Sequence, residues 1–153
     1  MIPAFLQDEI KKRLEKLFEG HLFDDPRGNR TNLKVYEQHL PIKKASKDDN
    51  SSLYPCVIVQ LQQGFNQKVA ITLIIGIFNE SSDRTGYRDL STIIQKITTD
   101  FAEYPTMTRQ YSLAEEPKWA IHDEDVHPYY FAGIELTFQA GLQIERKDVS
   151  HLI

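Results

Sequence analysis

The chain has 153 residues, of which 41% are hydrophobic and 26% are charged, and its formal net charge is −4 at pH 7. This length suits one domain with its own core, and the composition is that of an ordinary globular protein. The negative charge argues against a surface built to neutralise nucleic-acid phosphates, which requires clustered Lys and Arg.

Cys56 is the only cysteine, so the chain cannot form an internal disulfide. Its place beside Pro55, at the start of an apolar run, favours a small core residue over a nucleophile. The longest apolar run, VAITLIIGIF, is about ten residues long and too short for a membrane-spanning helix. The N-terminal stretch is charged throughout and lacks the apolar core of a signal peptide. We therefore expect a soluble protein with no membrane partner.

The first predicted element is an N-terminal amphipathic helix that ends at Gly20. Its apolar residues recur at three- and four-residue spacings: Ile2, Phe5, Leu6, Ile10, Leu14, Leu17 and Phe18. Residues 24–32 (DDPRGNRTN) have turn chemistry, and residues 33–41 alternate as an exposed strand does. Residues 42–52 contain almost nothing to bury, which predicts a mobile loop.

Two strands are predicted at the centre of the fold, over residues 56–63 and 68–78. The second is apolar on both faces and rich in β-branched residues, as in a central strand covered on both sides. After the turn at 79–86, a second helix presents one apolar stripe and stops before Pro105. That stripe consists of Leu90, Ile93, Ile94, Ile97 and Phe101.

The residue pattern over 111–142 predicts a pair of strands at the end of the domain. Residues 111–122 form a strand interrupted by Pro117, and residues 129–142 alternate apolar and polar side chains most clearly. The element order predicts an α+β fold, with a mostly antiparallel sheet of about four to five strands and two main helices packed on one face. A single domain over residues 1–145 would precede a loose tail at 146–153.

The segment HDEDVHP, residues 122–128, concentrates side chains that bind metals and move protons. Structural zinc takes four ligands with paired spacing, which one cysteine does not supply. A calcium loop needs a glycine and a closing glutamate that are missing here. Because the segment lies between two predicted strands, an exposed polar turn is the favoured interpretation, with no metal ligand.

A second candidate is Glu116-Pro117-Lys118, which matches the E-x-K spacing of metal-dependent nucleases of the restriction-endonuclease type. Proline occupies the middle position, and the strand over 68–78 supplies no acid. One alternative function nevertheless stays open, a metal-dependent nuclease or hydrolase that uses segment 116–127. Its candidate residues are Glu116, Lys118, His122, Asp123, Asp125 and His127.

Residues 81–89 (SSDRTGYRD) precede the second helix but hold only one glycine, so they do not match a phosphate-binding loop. We expect Asp83 or Thr85 to cap that helix and Gly86 to form a tight turn at its start. No nucleophile and base stand at a meaningful spacing. The sequence thus predicts no catalytic residue and no cofactor, which favours a binding or assembly protein over an enzyme.

The pattern resembles the tail terminator proteins, also called tail completion or neck proteins, of long-tailed bacteriophages and prophages. The residues that carry the resemblance are Y-P-x-V-x-V at 54–59 and the F-x-E…G-Y-R-D pattern between Phe78 and Asp89. Element order extends the similarity over residues 2–142. A neighbouring head–tail connector protein shares this size and these elements and is a second alternative.

The resemblance implies a structural subunit of the virion that assembles in the cytoplasm of the bacterial host. Such subunits form a homo-oligomeric ring, commonly a hexamer, at the head-proximal end of the tail. The ring caps the major tail tube protein, stops its polymerisation and offers a surface to the head–tail connector protein. DNA passes through the lumen without specific binding, which suits a negatively charged subunit.

A ring requires two different contact patches on each subunit. We expect them in the exposed segments 24–32, 42–52, 79–86 and 122–128. Tyr and Arg are enriched where proteins dock, and the 122–128 turn is polar and exposed. On residue type and expected exposure, the candidate interface residues are Tyr36, Arg84, Tyr87, Asp123, Asp125 and His127.

Overall fold

The structure is a computed structural model that describes residues 3–40, 53–65, 67–107 and 110–140. Its helices are α1 (Pro3–Leu17) and α2 (Gly86–Glu103). Its strands are β1 (Leu22–Asp24), β2 (Arg30–Asn32), β3 (Lys34–Glu37), β4 (Cys56–Phe65), β5 (Lys68–Phe78), β6 (Thr106–Met107), β7 (Tyr111–Leu113), β8 (Lys118–Ile121) and β9 (Tyr129–Gln139). The predicted loop at 42–52 and the predicted tail at 146–153 lie outside the described residues.

The main sheet has seven strands in the order β3-β4-β5-β9-β7-β6, and β8 pairs with β9 on the same edge as β7. β3 runs parallel to β4, whereas the other neighbouring pairs are antiparallel. The sheet is therefore mixed, and it curls into a half-barrel in which strands make up 41% of the described residues. Separately, β1 and β2 form a two-stranded hairpin.

The expectation of four to five mostly antiparallel strands beneath two helices on one face is wrong. Strands β6, β7 and β8 are two to four residues long, too short to show a period of their own. The parallel pairing of β3 with β4 depends on contacts distant in sequence. Since α1 contacts β3 and β4 while α2 contacts β5 and β9, the helices pack against different parts of the curled sheet.

One apolar cluster joins both helices to alternate residues of the long strands. On β5 and β9, the residues of this cluster face each other in register, for example Leu73 opposite Ile134 and Ile71 opposite Leu136. The intervening residues point to the other side of the sheet, which we call the outer face. α1 enters the core through Leu6, Ile10 and Leu14, spaced four residues apart, and Phe18, directly after the helix, continues this row.

Arg13 of α1 forms hydrogen bonds with the C-terminal end of α2. Its Nε donates to Asp100 Oδ2 at 2.7 Å, and its Nη2 donates to the carbonyl oxygens of Asp100 and Tyr104 at 2.9 and 2.8 Å. The guanidinium carbon also lies 3.9 Å from the centroid of the Phe101 ring. A positive charge on the last carbonyls of a helix is favoured by the helix dipole, so this contact stabilises the junction of the two helices.

Gln38 extends the pairing of β3 and β4 with its side chain. Its Oε1 accepts from the Leu61 amide at 2.9 Å, and its Nε2 donates to the Leu61 carbonyl at 3.2 Å. The buried Gln7 of α1 donates to Gln38 Oε1 and to the Val59 carbonyl, both at 2.6 Å. The side-chain amide of Gln38 therefore makes the two hydrogen bonds to Leu61 that the backbone of a longer β3 would make.

Among the described residues, neither helix is long and apolar enough to cross a membrane.

Candidate interface

Four of the six candidate interface residues lie together at one end of α2. Arg84 and Tyr87 come from the β5–α2 connection and the start of the helix, and Asp125 and His127 come from the β8–β9 loop. They surround Tyr130, whose side chain is buried. We call these five residues the Tyr130 cluster.

Direct contacts hold the cluster together. Arg84 Nη1 donates to Asp125 Oδ1 at 2.8 Å, and the same oxygen accepts from the His127 amide at 3.2 Å. His127 Nδ1 lies 3.0 Å from the Tyr130 hydroxyl, and the ring of Tyr87 meets that of Tyr130 edge to face, with centroids 4.7 Å apart. The two connections therefore form one surface, although Arg84 and Asp125 are 41 residues apart.

The charges in the cluster stabilise one another. The Arg84 side chain and the amide of His127 bond to the carboxylate of Asp125 and hold its pKa below the ordinary value. The hydrogen bond and charge of Asp125 in turn raise the pKa of Arg84. Burial raises the pKa of Tyr130, and the positive charge of Arg84 opposes that effect. At neutral pH, the cluster thus presents an ionised pair beside aromatic rings.

Gly86 makes room for Tyr130. A Cβ atom at this position would overlap the Tyr130 ring, so only glycine lets the start of α2 approach β9 this closely. The expected reason for this glycine, a tight turn, is therefore not its main role. Thr85 occupies the N-cap position but makes no side-chain cap hydrogen bond, and Asp83 instead accepts a hydrogen bond from Ser81.

Asn79, a buried polar residue directly after β5, has a role that no sequence pattern indicates. Its amide N–H donates to the carbonyl of Pro128 at 2.8 Å, which joins the two connections. Its Nδ2 donates to Asp89 Oδ2 at 3.1 Å, and its Oδ1 accepts from the Ser81 amide at 2.9 Å. Asn79 thereby positions the turn that carries Arg84, which has a left-handed φ of 61°.

The other two candidates lie elsewhere. Tyr36 is half-buried on β3, opposite Ile58 on the outer face, and burial raises the pKa of its phenol. Asp123 lines a shallow depression of about 640 Å³ on the outer face, next to His122, Ile74 and Phe131. The structure therefore separates the six residues into the Tyr130 cluster and two isolated positions.

The acidic and histidine side chains of segment 116–127 do not gather at one point. Among the described residues, no three His, Cys, Asp or Glu side chains come close enough to hold one ion. Lys118 Nζ lies 3.7 Å from Glu115 Oε1, and His122 Nε2 lies 3.4 Å from Glu124 Oε2. The geometry gives the nuclease hypothesis no support.

Comparison with models of known protein families gives no match for this chain. Comparison with curated protein sequences gives no match either.

Proposed function

We propose that this chain is a tail terminator of a long-tailed bacteriophage or prophage. In this role, copies of the chain close into a ring on the head-proximal end of the tail tube. The ring stops tube polymerisation and offers its other side to the head–tail connector. The activity consists of surface complementarity alone and uses no catalytic group or cofactor.

The observation that carries the proposal is the Tyr130 cluster. The sequence predicts Arg84, Tyr87 and Asp125 as interface residues, and they lie in one exposed group with His127. The side chains of Arg84 and Asp125 are 47% and 63% exposed, and Tyr87 is 37% exposed. Arginine and tyrosine are among the residues that most often anchor protein interfaces.

The Tyr130 cluster is rigid, which suits a docking surface. The buried ring of Tyr130 and the hydrogen bonds of Asn79 fix the backbone beneath the exposed side chains. A surface that is already ordered loses less conformational entropy when a partner binds. We assign the cluster to one of the two patches that a ring contact requires.

The test is a capping assay with a major tail tube protein from the same phage or prophage. The tube protein is polymerised with and without this chain, and tube lengths are measured by electron microscopy. We expect shorter tubes that carry a ring at one end. A triple variant with Arg84→Ala, Tyr87→Ala and Asp125→Ala should fold, as checked by circular dichroism. With this variant, tubes should be as long as those of the tube protein alone.

Lys12→Ala is the matched control, because Lys12 forms an exposed ion pair with Asp8 on α1, at 3.1 Å. This variant should cap tubes as the wild type does. Wild-type protein that leaves tube length unchanged and binds only isolated connector rings would favour the connector alternative. Capping that survives the triple substitution would remove the cluster from the contact.

A further inference from the structure

Between Arg88 and Glu103, the exposed residues of α2 carry no charge. On α1, by contrast, Lys12, Glu15 and Lys16 are exposed. Charged residues are depleted at the centres of protein interfaces, whereas a solvated helix face is normally charged. The exposed residues of α2 between Arg88 and Glu103 are Ser91, Thr92, Gln95, Thr99 and Ala102.

These residues form a straight ridge. Thr92, Gln95 and Thr99 follow one another at spacings of three and four, which places them on one side of the helix. The Thr92 hydroxyl donates to the carbonyl of Arg88 at 2.9 Å, so it is already satisfied within the helix. The ridge can therefore enter a water-free contact without leaving this hydroxyl unpaired.

A groove lies on each side of the ridge, and Gln95 lines both. One groove, of about 260 Å³, lies between α2 and Trp119 of β8, a side chain that is 58% exposed. The other, of about 460 Å³, lies toward Leu17 of α1, and its lining includes the charged residues Lys96, Asp100 and Glu103. Helices pack by placing the ridge of one into the groove of the other, so this surface can accept a copy of itself.

The charges at the two ends of the ridge indicate which molecule docks on it. Arg88 lies in the first turn of α2, and Glu103 is its last residue. Neither forms a salt bridge with another residue in the described part of the chain. In an antiparallel pair of α2 helices whose two-fold axis lies between Gln95 and Lys96, each Arg88 meets the Glu103 of the other copy. Lys96 does not disturb the centre, because its Nζ lies 5.0 Å from the Phe18 ring centroid.

We propose that a second copy of this chain docks antiparallel on the exposed face of α2, in a two-fold symmetric dimer. Thr92 of one copy lies opposite Thr99 of the other, and Trp119 covers the edge of the contact. The inference does not depend on the proposed ring. A two-fold contact joins two copies of one patch, whereas a ring contact joins two different patches.

A charge-exchange series measured by analytical ultracentrifugation tests the dimer. We expect the wild type to reach twice its subunit mass of 17.7 kDa as concentration rises. Arg88→Glu and Glu103→Arg should each weaken the dimer about tenfold, since two ion pairs become repulsive by symmetry. The double variant should restore wild-type affinity. Lys12→Glu, on the charged face of α1, is the control and should leave affinity unchanged.

Cysteine cross-linking tests the register of the two helices. Gln95→Cys, next to the two-fold axis, should form a disulfide-linked dimer under mild oxidation, and mixed Thr92→Cys and Thr99→Cys proteins should link to each other. The native Cys56 does not interfere, because it is buried and burial raises its pKa to about 12. A wild type that is monomeric at every concentration, or a dimer that none of the α2 substitutions alters, would overturn the proposal.

Discussion

Two arginine–aspartate pairs in this protein have nearly the same geometry but different surroundings. Arg13 and Asp100 are joined at 2.7 Å with side chains 17% and 19% exposed, whereas Arg84 and Asp125 are joined at 2.8 Å and are 47% and 63% exposed. The first pair is shielded from water and also holds carbonyls at the end of α2. The second is solvated, and ion pairs of that kind add little to stability. The distance between nitrogen and oxygen therefore does not indicate how much such a pair contributes to stability.

Removal of Arg13 should give the largest effect on stability. Arg13→Ala leaves the Asp100 carboxylate partly buried without its partner and frees two carbonyls, so we expect a loss of about 2–4 kcal/mol in the free energy of unfolding. Urea denaturation followed by circular dichroism measures this loss. Arg84→Ala is the control and should unfold at nearly the wild-type urea concentration. Equal losses in the two variants would contradict the distinction between the pairs.

Gly86→Ala should have the next largest effect, because the added methyl group overlaps the Tyr130 ring. Overpacking of this kind costs about 1–3 kcal/mol. Near-ultraviolet circular dichroism should also change as the tyrosine moves, and the contact between His127 and the Tyr130 hydroxyl should weaken. A matched Ser91→Ala change on the exposed face of α2 should leave both measurements unaltered. An unchanged tyrosine signal in Gly86→Ala would show that the ring is not held as described.

The smallest of these effects is a shift in the titration of Asp125. Arg84 lowers the pKa of Asp125 below its ordinary 3.8, so the pair's contribution is complete above that pH and is lost as pH falls through the lowered pKa. Carboxyl resonances in nuclear magnetic resonance should titrate with a lowered midpoint in the wild type. In Arg84→Ala, the midpoint should rise toward 3.8. An identical midpoint in both proteins would mean that the pair does not persist in solution.

The long elements could be predicted because each carries its own period. Helix α2 and strands β5 and β9 lie where the apolar spacing placed them. The sheet could not be predicted, because its order depends on β3 joining β4 in parallel and on strands as short as Thr106–Met107. The turn residues at 24–32 gave no indication that β1 and β2 would form a hairpin around them.

For the candidate interface, residue type and expected exposure point to Arg84, Tyr87, Asp125 and His127, and their role in binding stays a prediction. Their convergence on Tyr130 was beyond the sequence, because it depends on β5 and β9 lying side by side. Asn79 was missed for a related reason. Its polar side chain is typical of an exposed turn, and only the folded chain places Asp89 and Pro128 within hydrogen-bonding distance of Asn79.

The side chain of Gln38 has a consequence for hydrogen exchange. The Leu61 amide lies beyond the last residue of β3 and next to a register shift in β4, where exchange with solvent is normally fast. Because Gln38 Oε1 accepts from this amide, it should exchange as slowly as amides of the regular ladder. In Gln38→Leu, deuterium uptake at Leu61 should rise while the amides of β5 and β9 keep their protection. One side chain thus sets where the slow-exchanging part of the sheet ends.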